Sequence, residues 1–246
     1  MFRKMRMVSR KDFLKSLGLA GVTVVAAPFV LHCRNKDNEG EDVTIDNSVS
    51  TACAVTNSET EGPFPTKSPS TLIQNNITGD RTGVPFEINL TIQNVKANCA
   101  ALQGVIVDIW HCDKDGNYSE YGGTGMQSTD YTNYHFLRGR QTTDENGKVS
   151  YISVFPGWYL GRATHIHVHI YNNVGTSLLI TQIAFPEGSG SQVELVNASS
   201  GYRGMSGYTY NSNDNVFSDG TANEMSTITG SVSEGFKLAH TIKVDA

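Results

Sequence analysis

A run of strict alternation constrains this chain more than any other feature. Between Val154 and Ile170 it reads Val-Phe-Pro-Gly-Trp-Tyr-Leu-Gly-Arg-Ala-Thr-His-Ile-His-Val-His-Ile, with His165, His167 and His169 at one parity and Ile166, Val168 and Ile170 at the other. Period-two alternation after a Pro-Gly turn predicts a β-strand. Successive strand side chains point to opposite faces, so three imidazoles would line one face, roughly 7 Å from one to the next, while aliphatics fill the other. Imidazoles at i and i+2 can both reach one metal ion. Three of the seven histidines fall within five positions, beside Tyr159 and Arg162, which favours a metal site over a solvated face that merely carries histidine.

Further strands are expected at Pro85 to Ile92, Val105 to Trp110, Lys148 to Val154, Thr164 to Tyr171, Leu178 to Phe185 and Phe236 to Val244, with Phe86, Ile88, Leu90 and Ile92 in the first and Phe236, Leu238, Ile242 and Val244 in the last at one parity. Asn98 to Gly104 and Asp144-Glu145-Asn146-Gly147 supply turn chemistry between them. Short strands, frequent Gly/Asn/Asp turns and no long helical period predict an all-β fold, a β-sandwich with long loops around the metal site. The Ser-, Gly- and Asn-rich stretch from Gly188 to Thr227 reads as loops packed against it.

The N-terminus is not expected to join this domain. Arg3, Lys4, Arg6, Arg10 and Lys11 precede the apolar run Leu17 to Leu31, too short and too Gly/Ala-rich for a good membrane span. Residues 1–33 read as an export signal peptide. Ser9-Arg10-Lys11-Asp12-Phe13-Leu14-Lys15 is similar to a twin-arginine signal with lysine as the second basic residue, and Val30-Leu31-His32-Cys33 loosely resembles a lipoprotein cleavage box. Residues 34–52 are polar and aperiodic, a linker, and the folded domain is expected over 53–246. These features predict an exported bacterial protein, periplasmic or attached to the envelope through a lipid at Cys33.

Of the chain's 19 Lys and Arg, six precede Cys33 with one of its 24 Asp and Glu, leaving 13 against 23, a net of about −10. Such a domain has no bulk attraction to nucleic acid or anionic lipid, and small molecules are the expected partners. Cys53, Cys99 and Cys112 permit one disulfide. Cys99 with Cys112, flanking a single predicted strand, is the expected pair. Asp113, Asp115 and Asn117 have the spacing of a calcium loop, but Thr124 stands at the twelfth position, where a bidentate glutamate is needed.

Several segments occur in a shared order: Thr60-Glu61-Gly62-Pro63, Asp80-Arg81-Thr82-Gly83, Val107-Asp108-Ile109-Trp110 through Tyr118, Phe136-Leu137-Arg138-Gly139, Pro156-Gly157-Trp158-Tyr159, Arg162-Ala163-Thr164-His165-Ile166-His167 and Thr181-Gln182-Ile183-Ala184-Phe185. In these the chain resembles the intradiol ring-cleavage dioxygenases, the non-haem iron(III) enzymes typified by protocatechuate 3,4-dioxygenase and catechol 1,2-dioxygenase. The resemblance runs from about Cys53 to Asp219.

It implies Fe(III) bound by Tyr118, Tyr159, His165 and His167. Phenolate oxygens are hard anionic donors that suit ferric iron, and two neutral imidazoles leave the ion open for substrate. It further implies an enzyme of aromatic catabolism that opens a catechol-type ring between its two hydroxyl-bearing carbons with O2, giving a muconate-type diacid. Tyr159, as the ligand displaced by substrate, would take up a substrate proton. Arg162 would stabilise developing negative charge, and Gln182 would hydrogen-bond near the metal or Arg162. Arg81 and Glu61 match family positions that buried pairing explains equally well.

The chain departs from that pattern in three places. Only Leu160 and Gly161 separate Tyr159 from Arg162, so the pocket wall differs from that of the protocatechuate enzymes. An export signal and linker stand where the cytosolic catechol enzymes carry a helical dimerisation region, and His169 is extra to the Arg-x-x-His-x-His motif. That third histidine supports one alternative, a zinc-dependent hydrolase built on His165, His167 and His169. A non-catalytic exported β-sandwich binding module is the other.

Overall fold

The computed structural model describes residues 53–246. The export signal, the lipid reading of Cys33 and the 34–52 linker lie outside the described residues.

Nine strands form two sheets among the described residues: β1 Pro85–Asn94, β2 Ala100–Ala101, β3 Ile106–Trp110, β4 Arg138–Thr142, β5 Lys148–Val154, β6 His165–Tyr171, β7 Ser177–Ala184, β8 Thr227–Ser231 and β9 Gly235–Val244. One sheet runs β2-β1-β9-β8 with β5 also paired to β1, and the other runs β4-β3-β6-β7. Phe86, Ile88, Leu90 and Ile92 from the first sheet and Val107, Ile109, Ile166, Val168 and Ile170 from the second are buried in one core. This is the β-sandwich that alternation predicts: each strand gives one apolar face to the shared interior.

The strand that orders the rest is β6. Its isoleucines and valine enter the core, while His165, His167 and His169 on the opposite face are also nearly inaccessible. Loops 53–64 and 111–137 contribute buried groups to that second face, so the histidine face is an interior rather than a solvated one.

Four features depart from expectation. β4 and β8 were not anticipated, because Arg-Gly-Arg-Gln-Thr and Thr-Ile-Thr-Gly-Ser carry almost no apolar alternation. β4 is held instead by polar cross-strand pairing, Arg140 lying opposite Asp108 with Nη2 2.6 Å from its Oδ2. A short helix, α1 Gln192–Asn197, occupies part of the stretch expected to be loop. Ser191 Oγ accepts from the Glu194 amide at its start, and Val193 and Val196 anchor it to the core. β1 and β9 pair in parallel, Phe86 opposite Phe236 through Asn94 opposite Val244, a long-range match that no local pattern announces.

The expected Cys99–Cys112 bridge is incorrect. Cys53 is bonded to Cys99, and Cys112 is a buried free thiol. A strand rises about 3.3 Å per residue, so residues flanking β3 lie at its opposite ends. Cys99, in a left-handed turn beside β1 and β2, meets the incoming N-terminal segment instead.

Candidate metal centre

Three loops and one strand converge below the histidine face. After β3 the chain turns at Asp113, whose Oδ1 accepts the amides of Asp115 (3.0 Å) and Asn117 (2.9 Å). The residues with calcium-loop spacing thus form a side-chain-capped turn. The turn delivers Tyr118, whose backbone is clamped at both ends by one side chain. Gln127 Oε1 accepts from its amide (2.7 Å) and Gln127 Nε2 donates to its carbonyl (2.8 Å). The Tyr118 ring is buried and stacked on Phe64, centroids 4.7 Å apart.

Pro156-Gly157-Trp158-Tyr159 docks on the same turn. A Cβ on Gly157 would come within 3 Å of the carbonyls of Asp113 and Lys114, and the Gly157 amide donates to Asp113 O. Only glycine lets the two tyrosine-bearing loops touch. Trp158 fastens the far side, donating from Nε1 to Gly204 O (3.0 Å) and Asn197 Oδ1 (3.2 Å).

His165 Nε2 lies 3.1 Å from His167 Nε2 and 3.1 Å from Tyr118 Oη. His165 Nδ1 is 2.6 Å from Ala163 O. A carbonyl only accepts, so Nδ1 carries the proton and Nε2 of the neutral ring offers a bare lone pair. Burial holds both imidazoles well below their ordinary value, aided by Arg162 at His165 and by His165 at His167, so both are neutral. The Tyr159 ring lies 5.8 Å from both Tyr118 and His165. Trp110 stacks flat on His167 at 4.9 Å, and Gly62 seats against it so closely that a Cβ there would be 3.1 Å from His167 Cε1.

The Arg162 guanidinium closes this constellation. Its Nη1 is 3.5 Å from Tyr159 Oη, its Nη2 donates to Gln182 Oε1 at 2.6 Å, and Gln182 Nε2 donates to Thr60 O at 2.8 Å. Burial alone would lower Arg162, but Tyr159 and Asp214 outweigh it and the net shift is upward. The phenols move the other way from what a ligand needs. Burial, then Tyr159, pushes Tyr118 well above its ordinary value, and burial raises Tyr159 against the opposing pull of Arg162. Two neutral imidazoles and two phenols gathered at one place become good donors only when a cation takes the phenolic protons' place, and this donor set fits a metal ion.

All the residues expected from sequence, Tyr118, Tyr159, Arg162, His165, His167 and Gln182, are therefore brought together. His169 is not. Its Nδ1 is 3.0 Å from Glu61 Oε1 and 2.8 Å from Tyr171 Oη, its Nε2 is 2.8 Å from Ser177 Oγ, and Tyr171 stacks on its ring. His111 is likewise engaged by Cys112 O and Ser153 Oγ. His169 is thus engaged away from His165 and His167 rather than completing a three-histidine zinc site with them. Sequence reasoning missed Asp214, which holds Arg162 through both carboxylate oxygens. It sits in Asn213-Asp214-Asn215, with no pattern to mark it. Phe64 was also missed, although the adjoining Thr60-Glu61-Gly62-Pro63 pointed to its neighbourhood.

An all-β sandwich with paired tyrosines and an i, i+2 histidine pair on an interior sheet face defines a class of metalloprotein. A family profile described as Dioxygenase (Dioxygenase_C) matches residues 61–218, and the chain belongs to that family of intradiol ring-cleavage dioxygenases. The fold is similar to the intradiol ring-cleavage dioxygenase from Tetranychus urticae, at 28% identity and TM-score 0.69 over 78% of this chain and 95% of that one. It also matches the dioxygenase domain of a carbohydrate-binding fusion from Streptomyces sp. SirexAA-E, at 23% identity and TM-score 0.57 over 78% and 99% of the two chains. In sequence it is 31% identical over 103 residues to chlorocatechol 1,2-dioxygenase from Rhodococcus opacus, a match covering 34% of this chain and 37% of that relative's length.

Proposed function

We propose that the chain is a non-haem iron(III) dioxygenase that opens a catechol-type ring between its two hydroxyl-bearing carbons, with Tyr118, Tyr159, His165 and His167 as the metal ligands. The observation that carries this reading is the convergence of Tyr118 Oη, His165 Nε2 and His167 Nε2 within 3.1 Å contacts, in a pocket that burial keeps free of protonated imidazole. When bound, ferric iron would supply a Lewis acid able to bind both substrate oxygens and render the ring reactive toward dioxygen.

The protein's own residues divide the remaining work. Tyr118, fully buried and clamped through Gln127, is suited to remain a ligand throughout. Tyr159 would help hold the metal, and being only half-buried with Arg162 beside its Oη, it is suited to accept a substrate hydroxyl proton at that oxygen. Arg162, held by Asp214 and Gln182, presents a cation whose position costs no reorganisation as negative charge develops on the substrate oxygens. Phe64 packs on Tyr118 and Trp110 stacks on His167, which holds these two side chains in place. Both atoms of O2 end in the muconate-type diacid, so no external reductant is consumed. The signal-like N-terminus supports action outside the cytoplasm, in the bacterial envelope.

The test is oxygen uptake by the iron-replete protein with catechol. One O2 consumed per ring opened, with the diene diacid as product, is the expected result. No uptake with any simple or substituted catechol would end this reading.

A further inference from the structure

We propose that Glu59, Asp219 and Glu224 form a second, structural cation site, built for a hard divalent ion, calcium, and separate from the tyrosine–histidine centre. One carboxylate oxygen from each lies within 4.8 Å of the others. Calcium–oxygen bonds of about 2.3–2.6 Å place two ligands of one ion up to about 5 Å apart, so the three can share an ion with shifts of at most a few tenths of an ångström. The donors are all carboxylate oxygens, a set that selects hard cations over the softer metals imidazole prefers.

Glu224 supplies an observation independent of this clustering. It is completely buried, its Oε1 accepts from Thr181 Oγ1 at 3.2 Å, and its Oε2 is buried with no hydrogen-bond partner. A buried carboxylate oxygen left without a donor is costly, and an ion beside Glu59 and Asp219 would satisfy it. Burial, then the charge of Asp219, pushes Glu59 up to about 7, while burial, then Glu59, pushes Glu224 up to about 8. Like charges crowded this closely either retain protons or bind a cation.

The surroundings are preassembled. Glu59 is pinned to β7 by its amide on Ile180 O (2.9 Å). Asn57 joins its segment to the 219–224 loop, donating from Nδ2 to Asp219 Oδ2 (3.0 Å) and from its amide to Asn223 Oδ1 (3.1 Å). Asp219 is exposed and Glu59 half-buried, which leaves an entrance. An ion here would tie the N-terminal segment to the loop that, five residues earlier, presents Asp214 to Arg162.

The test titrates calcium chloride into the iron-loaded full chain, read by calorimetry and thermal unfolding. One ion per chain is expected, with Kd on the order of 10⁻⁴ M, the range of extracellular calcium modules. Tm should rise by about 5 °C or more at a hundredfold excess over Kd. Affinity should increase from about pH 6 to about pH 9, because the carboxyls must release protons to bind. Asp219→Asn, at the exposed rim, should weaken binding about tenfold or more and leave the visible iron band unchanged. No heat and no Tm shift in the wild type at millimolar calcium would overturn the proposal, as would identical responses from wild type and Asp219→Asn.

Discussion

Asp214 holds Arg162 with both carboxylate oxygens, at 2.9 and 2.8 Å from Nε, and the same carboxylate accepts the Ala163 amide at 2.8 Å. One buried acid thereby aims the guanidinium at Tyr159 and anchors the backbone just ahead of His165. Asp214→Asn retains the shape but removes the counter-charge. We expect kcat to fall by about 10- to 100-fold at equal iron content, with a smaller change in KM, because the cation is needed most as charge develops. Steady-state oxygen uptake checks this. Arg162→Lys should not rescue, since an ammonium cannot span Asp214, Gln182 and Tyr159 at once.

Gly62 has φ +68° and would place a Cβ 3.1 Å from His167 Cε1. Gly62→Ala should therefore cost about 1–2 kcal/mol in stability through backbone strain and tilt the His167 ring. Iron content after purification and Tm should fall together. Unchanged values in both would mean that the 60–64 segment does not set the histidine's position.

The two tyrosines should separate in mutagenesis. Tyr118→Phe removes a fully buried oxygen donor and should abolish stable iron binding. Tyr159→Phe should retain iron, shift the visible band and slow turnover by about 10²-fold or more. Metal analysis and absorption spectra distinguish the two.

His111 is fully buried between Cys112 O and Ser153 Oγ, and burial lowers it from 6.5 to about 4. The folded protein requires the neutral ring, so between those values the unfolded chain binds more protons. The stabilisation is complete above about pH 6.5 and is lost as pH falls toward 4, by roughly 3 kcal/mol for this group. Denaturant unfolding across that range should show the decline, and His111→Gln should remove this group's share of it while His165, His167 and His240, also lowered by burial, keep theirs.

The Cys53–Cys99 bridge has a sequence separation of 46 residues. By loop entropy its reduction should cost about 4 kcal/mol. Cys112 should stay unreactive toward thiol reagents until the protein unfolds, because burial pushes its thiol up. Mass spectrometry of alkylated native and reduced protein reads both outcomes.

The residues legible in the sequence are those governed by local rules. Period-two alternation revealed β1, β6 and β9, strand-like runs between turn signals revealed β3, β5 and β7, and the motif segments pointed to Tyr118, Tyr159, His165 and His167 as one group. What escaped is held by contacts distant in sequence. β4 depends on Asp108 opposite Arg140, and although β9 itself was legible, its parallel pairing with β1 was not. Asp214 meets Arg162 across 52 residues. Cys99 found Cys53 rather than Cys112 because strand length, invisible in a cysteine count, carries Cys112 to the far end of β3. His169 shares its face with His165 and His167, yet Glu61, Tyr171 and Ser177 claim both its nitrogens, and alternation alone could not assign those partners.

The central claim is a ferric centre built on tyrosinate and imidazole, and the visible spectrum of the purified, metal-analysed protein under anaerobic catechol tests it most directly. The account predicts one iron per chain, a red-brown tyrosinate-to-iron charge-transfer band, and a shift of that band when catechol is added before any oxygen is admitted. A colourless protein with stoichiometric zinc, or an iron band indifferent to catechol, would contradict it.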